Sequence, residues 1–215
     1  MRLAAFAAHW GVAADGTLDA FLAAHDRGSL ILNLTNPDAH FDITKTCLSA
    51  GHHVYSEKPL AMQMDQAHAL HDLARQEGLL LASAPCSLLG EAAQMFGKAI
   101  RDEVAGPIRL IYAELDDGFI PQAPYQTWTS DSGAPWPARD EFAVGCTLEH
   151  AGYYLGWLIG HFGAVRRVVA ASAEVLPMKE VTGTPDVSIA TLFFESGLLA
   201  RLTCSIVSPH DPRLR

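Results

Sequence analysis

The first 85 residues repeat one pattern: a helical segment, a glycine or turn, then a short run that is apolar on both faces. A helical period over 17–26 leads into Leu30-Ile31-Leu32-Asn33-Leu34, which stops at the turn Thr35-Asn36-Pro37. A second helix, over about 38–50, stops at Gly51 and delivers His52-His53-Val54-Tyr55-Ser56. A third, over about 62–77, stops at Gly78 and delivers Leu79 to Ala84. Glycine ends helices because it tolerates the left-handed conformation that follows the last turn. Short strands with no polar face, joined by helices, imply a doubly wound parallel sheet covered on both sides. Such sheets bind ligands beyond the carboxyl ends of their strands.

After residue 85 the pattern changes. A helix over about 89–104 and an alternating strand over 107–115 precede the irregular stretch Gly118 to Asp140, which holds Trp128 and Trp136 among several prolines and is too long for an ordinary turn. It reads as a binding loop. A helix over about 146–162 and extended segments at 165–175, 186–194 and 198–207 follow, and they suit a largely antiparallel sheet. The expected organisation is therefore two domains, 1–85 and 86–215, the second being α+β. Gly156 and Gly160 are expected to let the helix over 146–162 approach that sheet.

Composition narrows the partners. The chain has 215 residues, is 49% hydrophobic and carries a formal net charge of -9. An acidic chain has no phosphate-backbone footprint, so nucleic acid is not an expected partner. No apolar run nears the ~20 residues that span a bilayer, so no membrane association is expected and the location is expected to be cytoplasmic. Met1 to Trp10 faintly resembles a signal peptide but reads better as the end of an amphipathic helix. Cys47, Cys86, Cys146 and Cys204 match no metal spacing and are expected to be buried thiols. His68 and His71 share a helix face but have no third ligand near them, so no metal site is expected.

Two segments follow predicted strands, where this kind of sheet puts its chemistry. In Ser56-Glu57-Lys58-Pro59, a lysine brought near a cofactor and desolvated has its pKa lowered toward a value useful for proton transfer; the plainer alternative is a surface lysine paired with Glu57. In Thr35-Asn36-Pro37-Asp38-Ala39-His40, Asn36 or Asp38 can simply cap the next helix, or the turn can contact a cofactor.

The words and spacing of Asn33-Leu34-Thr35-Asn36-Pro37-Asp38-Ala39-His40 and of Gly51-His52-His53-Val54-Tyr55-Ser56-Glu57-Lys58-Pro59-Leu60-Ala61 closely resemble the Gfo/Idh/MocA oxidoreductase family. The resemblance covers most of the chain. It implies a partial doubly wound, Rossmann-like α/β domain followed by a partial substrate domain, with NAD or NADP as cofactor. It implies that Lys58 is the catalytic-site lysine beside the nicotinamide. Thr35, Asn36, Pro37, His40, Glu57, Lys58 and Pro59 are then the expected cofactor-binding residues.

A second anchor, Gly145-Cys146-Thr147-Leu148-Glu149-His150-Ala151-Gly152-Tyr153-Tyr154, opens the helix after the proline-rich loop. Many members of the family carry an Asp and a His four residues apart here; aligned through Gly152, this chain has His150 and Tyr154 instead. Positions i and i+4 share a helix face, so both can project toward a substrate. Tyr154 resembles the tyrosine that some members use, with Lys58 lowering its pKa; a core aromatic is the competing reading, and Tyr153 is expected to be structural. Trp128 and Trp136 offer flat apolar surfaces on which a sugar ring can stack.

The family's Gly-x-Gly-x-x-Gly phosphate turn does not occur in these residues, and Ser208 to Arg215 ends where the second sheet should continue. The chain is thus expected to be truncated at both ends. The expected function is hydride transfer between NAD(P) and a hydroxyl or carbonyl carbon of a sugar-like or polyol substrate, in a homo-oligomer that covers an open sheet. The alternative is a non-catalytic sugar-binding or scaffold remnant of the same fold.

Overall fold

A computed structural model describes residues 2–14, 16–177, 179, 181 and 183–208; of the terminal segment discussed above, 209–215 lie outside the described residues. The chain divides into two compact units, Met1–Ala82 with Pro124–Asp140, and Ser83–Ala123 with Glu141–Arg215. The segment 124–140 thus groups with the first unit.

In the first unit, helices α1 (Arg2–Trp10), α2 (Leu18–Ala24), α3 (His40–Ser49) and α4 (Met64–Glu77) alternate with strands β1 (Leu30–Asn33), β2 (His53–Ser56) and β3 (Leu81–Ser83). The strand order is β1-β2-β3, and β1 pairs with β2 in parallel, Ile31 opposite Val54. Ile31 and Val54 pack on Leu22, Cys47, Leu48, Leu70 and Ala74 from the helices. Leu48 and Leu70 have no exposed surface, and each such leucine contributes about 1.5–3 kcal/mol of burial. Gly78 takes φ 66° and closes α4 by donating to Ala74 O and Arg75 O, as its place in the sequence predicts. In the residues described, the helices of this core pack on the face of Ile31, and Leu30 and Leu32 on the other face are 61% and 59% exposed.

The second unit opens with α5 (Glu91–Arg101) and β4 (Leu110–Gly118). It continues with most of α6 (Ala138–Phe162) and then β5 (Val165–Ala173), β6 (Val187–Phe194) and β7 (Leu199–Ser208). The sheet order is β4-β7-β6-β5. The β5–β6 and β6–β7 pairs are antiparallel and β4–β7 is parallel. Helix α6 covers one face: Ala151 packs with Ala113, Leu202 and Cys204, and Leu158 with Leu192, Phe194 and Ala200.

Helix α6 starts earlier than the sequence suggests and is interrupted at Gly145, whose φ 73° and ψ 154° are not helical. A Cβ there would stand 2.9 Å from Pro185 Cδ, so the kink needs glycine for both conformation and space. The expected roles of two other glycines are corrected. Nothing lies within 4 Å of a Cβ built on Gly156, and one on Gly160 meets Leu88 rather than the sheet. The close approach belongs to Gly97, where a Cβ would fall 2.4 Å from His161 Cε1. Among the described residues no helix is long and apolar enough to cross a membrane, and no group of three or more His, Cys, Asp or Glu could hold a metal.

Candidate active site

Two loops leave the carboxyl ends of β1 and β2, and one buried histidine ties them together. His40 has no exposed surface; its Nδ1 lies 2.7 Å from Pro59 O and its Nε2 2.8 Å from Thr35 O. Asn33, also buried, donates from Nδ2 to His40 O and Thr44 Oγ1. Its Oδ1 accepts from Thr35 N and Thr35 Oγ1. The local sequence explains this: Asn33 ends the strand, Pro37 opens a single 3-10 turn over Pro37–Ala39, and His40 begins α3 with its ring turned under both loops.

The seven residues expected to meet a cofactor therefore divide. Pro37, His40 and Pro59 are buried, and both His40 nitrogens face main-chain carbonyls, so these three shape the rim from beneath. Thr35 and Asn36 are exposed, and Glu57 and Lys58 half-buried, at the strand ends. Glu57 Oε2 accepts from Lys58 N at 2.9 Å, holding the loop's direction. A rim of this kind fits the nicotinamide half of a dinucleotide: polar surface at the carboxyl ends of parallel strands, on a backbone immobilised from below. The glycine turn for a pyrophosphate has no counterpart among these residues.

The aromatic segment belongs to the same unit. Trp136 N donates to Trp128 O and Ser130 N to Ala134 O, with a bridge between Thr129 and Pro135, so the segment is a tight hairpin and not an open coil. Trp128 and Trp136 pack edge to face with centroids 5.2 Å apart, and Tyr125 packs against Trp136 at 5.7 Å. Trp128 remains 39% exposed. At the end of the segment Asp140 Oδ2 accepts from Asn36 Nδ2 at 2.7 Å, which ties the hairpin to the loop after β1.

In the second unit, α6 meets β4 through two polar contacts one turn apart. His150, 5% exposed, has Nε2 at 3.3 Å from Asp117 Oδ2. Tyr154 donates its hydroxyl to Glu114 O at 2.8 Å, and its ring packs edge to face on Trp157. The hydrogen bond from His150 holds the Asp117 carboxyl below its ordinary value, with the Gly118 N–H adding to the effect and burial opposing it. Tyr153 is exposed. Asp117 escapes a reading of the sequence because nothing local marks it; the available signal is an acidic residue at the carboxyl end of an alternating strand, just before the proline-rich loop.

Three of the four cysteines are buried thiols. Cys47, Cys146 and Cys204 are buried, and Cys86, contrary to expectation, is exposed. Burial raises the Cys47 and Cys146 thiols and pushes Cys204 up to about 11, so they stay protonated.

The architecture is that of a Rossmann-type parallel sheet followed by a mixed sheet that carries a helix with two polar contacts. Residues 1–84 match the oxidoreductase family with an NAD-binding Rossmann fold, and residues 94–215 match the Gfo/Idh/MocA C-terminal domain. The chain belongs to the Gfo/Idh/MocA family. It is 23% identical over 186 residues to scyllo-inositol 2-dehydrogenase (NADP(+)) IolW of Bacillus subtilis, covering 86% of this chain and 48% of that protein. Similar solved structures include UDP-N-acetylglucosamine 3-dehydrogenase GnnA from Acidithiobacillus ferrooxidans (TM-score 0.74, 23% identity, 97% of this chain and 59% of that one). Another is an inositol dehydrogenase homologue from Azotobacter vinelandii complexed with NADH and myo-inositol (TM-score 0.78, 19% identity, 96% and 54%). The chain spans about half the length of these relatives.

Proposed function

We propose that this chain is part of an NAD(P)-dependent dehydrogenase that interconverts a secondary hydroxyl and a carbonyl on a polyol or sugar, a cyclitol being the first candidate. The observation that carries the reading is the Lys58 loop, half-exposed at a strand's carboxyl end and braced from below by His40. The inositol and nucleotide-sugar dehydrogenases among the relatives support the substrate class.

A nicotinamide bound at this rim would supply the hydride acceptor or donor. Thr35, Asn36, Glu57 and Lys58 would hold it, and Trp128 would offer an apolar surface for a ring. Lys58 hydrogen-bonds the reacting oxygen and stabilises the negative charge that develops as its proton leaves. On the second unit, His150 and Tyr154 are the candidate proton-transfer residues; the Tyr154 hydroxyl already donates to Glu114 O, which favours His150. The outer face of the second sheet, with Leu110, Tyr112 and Ile189 exposed beside the Arg201–Glu114 ion pair, carries both apolar surface and both signs of charge. Such a face suits a second copy of the same chain, and sedimentation at micromolar concentration tests it: a monomer overturns the homo-oligomer.

The activity test is Lys58→Ala and Lys58→Arg, assayed with NAD+ and NADP+ against scyllo- and myo-inositol. Loss of the group that stabilises the charge on the reacting oxygen lowers kcat by about 100-fold or more, with an unchanged circular dichroism spectrum. Full turnover by Lys58→Ala removes the lysine from the mechanism. A wild-type chain that neither binds nor reduces either cofactor leaves the non-catalytic sugar-binding reading in its place.

A further inference from the structure

His40 has no exposed surface, and each of its ring nitrogens lies against a main-chain carbonyl, Nδ1 at 2.7 Å from Pro59 O and Nε2 at 2.8 Å from Thr35 O. A carbonyl oxygen only accepts a hydrogen bond, so each contact needs an N–H on the ring. The neutral imidazole has one N–H. In either tautomer the second nitrogen would aim its lone pair at a carbonyl lone pair across 2.7 or 2.8 Å, in a place that water does not reach. Turning the ring over does not relieve the conflict, because carbon atoms would then face both oxygens, and a C–H to carbonyl contact sits at about 3.3–3.6 Å. The imidazolium donates from both nitrogens and satisfies both oxygens. Charge-assisted hydrogen bonds of this kind are short, about 2.7–2.9 Å, as these are.

Burial and the amino end of α3, which His40 opens, both oppose a positive charge. Asp38 precedes the ring in the 3-10 turn, Asp42 and Lys45 follow it on α3, Glu57 and Lys58 end β2, and α4 opens with Asp65; His52 lies at the opposite end of β2. Asp38, Asp42, Lys45 and Asp65 are exposed and Glu57 and Lys58 half-buried, whereas the two positions that answer the ring directly are carbonyls. The carbonyls belong to different loops, so the ring's protons decide how many loops it holds.

We propose that His40 is a positioning residue that works as an imidazolium clamp: with a proton on each nitrogen it ties the loop after β1 to the loop after β2, and loss of one proton releases one of them. This deepens the dehydrogenase reading and rests on it. The loops so tied carry Thr35 and Asn36 on one side and Glu57 and Lys58 on the other, all within the first unit. No proton passes between His40 and a substrate; the ring sets the spacing of the rim from beneath. The pH dependence has a fixed sign. The rim is tied while the ring keeps both protons and loosens as pH rises through the loss of one. Imidazole suits such a device, since it is the side chain whose charge ordinarily changes between about pH 5 and 8.

The test reads the ring and the rim separately. In 15N spectra of the wild-type chain, with the ring assigned through bonds from the His40 Cβ protons, both ring nitrogens carry a directly bonded proton at about pH 6. As pH rises one of the two signals is lost, and the main-chain amide signals of Asn36 and Lys58 move with the same midpoint. NADH affinity, followed by fluorescence titration, falls over that range by about tenfold or more, the worth of one charge-assisted hydrogen bond. In His40→Gln, whose amide can donate to one carbonyl at a time, binding is weak and independent of pH; the spectra and the wild-type titration need no variant. A ring with a single N–H at about pH 6 overturns the clamp. Two N–H signals that persist above about pH 8 overturn the release. NADH affinity flat with pH while the ring loses a proton overturns the link to the cofactor. A wild-type chain that binds no NADH at any pH defeats the dehydrogenase reading instead, and the ring and amide signals still decide the clamp.

Discussion

Gly145→Ala tests how the helix carrying His150 is launched. The backbone at Gly145 sits at φ 73° and ψ 154°, a region essentially restricted to glycine, where another residue costs about 1–3 kcal/mol. The new Cβ would lie 2.9 Å from Pro185 Cδ, 3.1 Å from Thr184 Cβ and 3.3 Å from Pro185 N. These neighbours cannot swing away: Pro185 O accepts from Cys146 N, and Thr184 Oγ1 donates to Phe142 O. Forcing a methyl into such a contact adds about 1–3 kcal/mol, for a combined loss of about 2–6 kcal/mol. With a urea dependence of about 2–3 kcal/mol per M, the unfolding midpoint falls by about 0.7–3 M. Gly156→Ala on the same helix is the control. Its Cβ meets nothing within 4 Å, so it stabilises by about 0.5–1 kcal/mol. Equal midpoints for the two variants would refute the reasoning.

Three further outcomes concern polar contacts within the units. Lys179→Met leaves the fully buried Asp186 carboxylate without the ammonium now 2.7 Å away; it destabilises by about 3–5 kcal/mol, measured by urea unfolding, and a loss below about 1 kcal/mol would contradict it. His40→Ala removes the ring that stands between Thr35 O and Pro59 O and weakens NADH binding at an unchanged far-UV spectrum; fluorescence titration reads this, and equal affinity removes His40 as a brace. Asp117 has a folded pKa below its ordinary 3.8, so the unfolded chain binds more protons in that window. Its contribution to stability is complete above the unfolded value and disappears as pH falls through the lower folded value. Asp117→Asn therefore flattens the acid limb of the stability curve below about pH 4, and an acid limb unchanged in circular dichroism would show that the contact is not made.

Element types and order follow closely from local pattern in the first unit, because α3 and α4 give way to glycines that take a left-handed turn, Gly51 and Gly78, and the strands are short and mostly apolar. What periodicity does not reveal is which face is covered: Leu30 and Ile31 are alike in the sequence and differ only in where the helices pack. The early start of α6 is hidden because residues 138–144 follow a proline-rich stretch, and the break at Gly145 depends on Pro185, forty positions away. The Lys58 loop is legible from its words, whereas the brace beneath it is not, since His40 is set against Pro59 by folding alone. Asp117 is in the same position: the spacing of His150 and Tyr154 announces a shared helix face, but the partner on β4 is a tertiary fact.

The costs in the second unit are concentrated around one structural task. Lys179 and Asp186 form a buried ion pair, with Glu174 Oε1 3.5 Å from the ammonium, and Asp186 Oδ2 accepts from Val175 N and Leu176 N. Buried ion pairs add little net stability and are often matched or exceeded by apolar replacements, so stability alone does not explain this one. The ammonium also donates to Thr184 O and Thr184 Oγ1, and Thr184 with Pro185 forms the surface against which Gly145 is pressed. Through that contact the pair fixes where the second part of α6 begins. Each residue of a helix turns the side chain by about 100°. A one-residue slip at the kink would therefore carry His150 away from Asp117 and Tyr154 away from Glu114 together. The ion pair and the glycine-only backbone set the phase of a helix whose two polar contacts, one turn apart, are useful at one phase only.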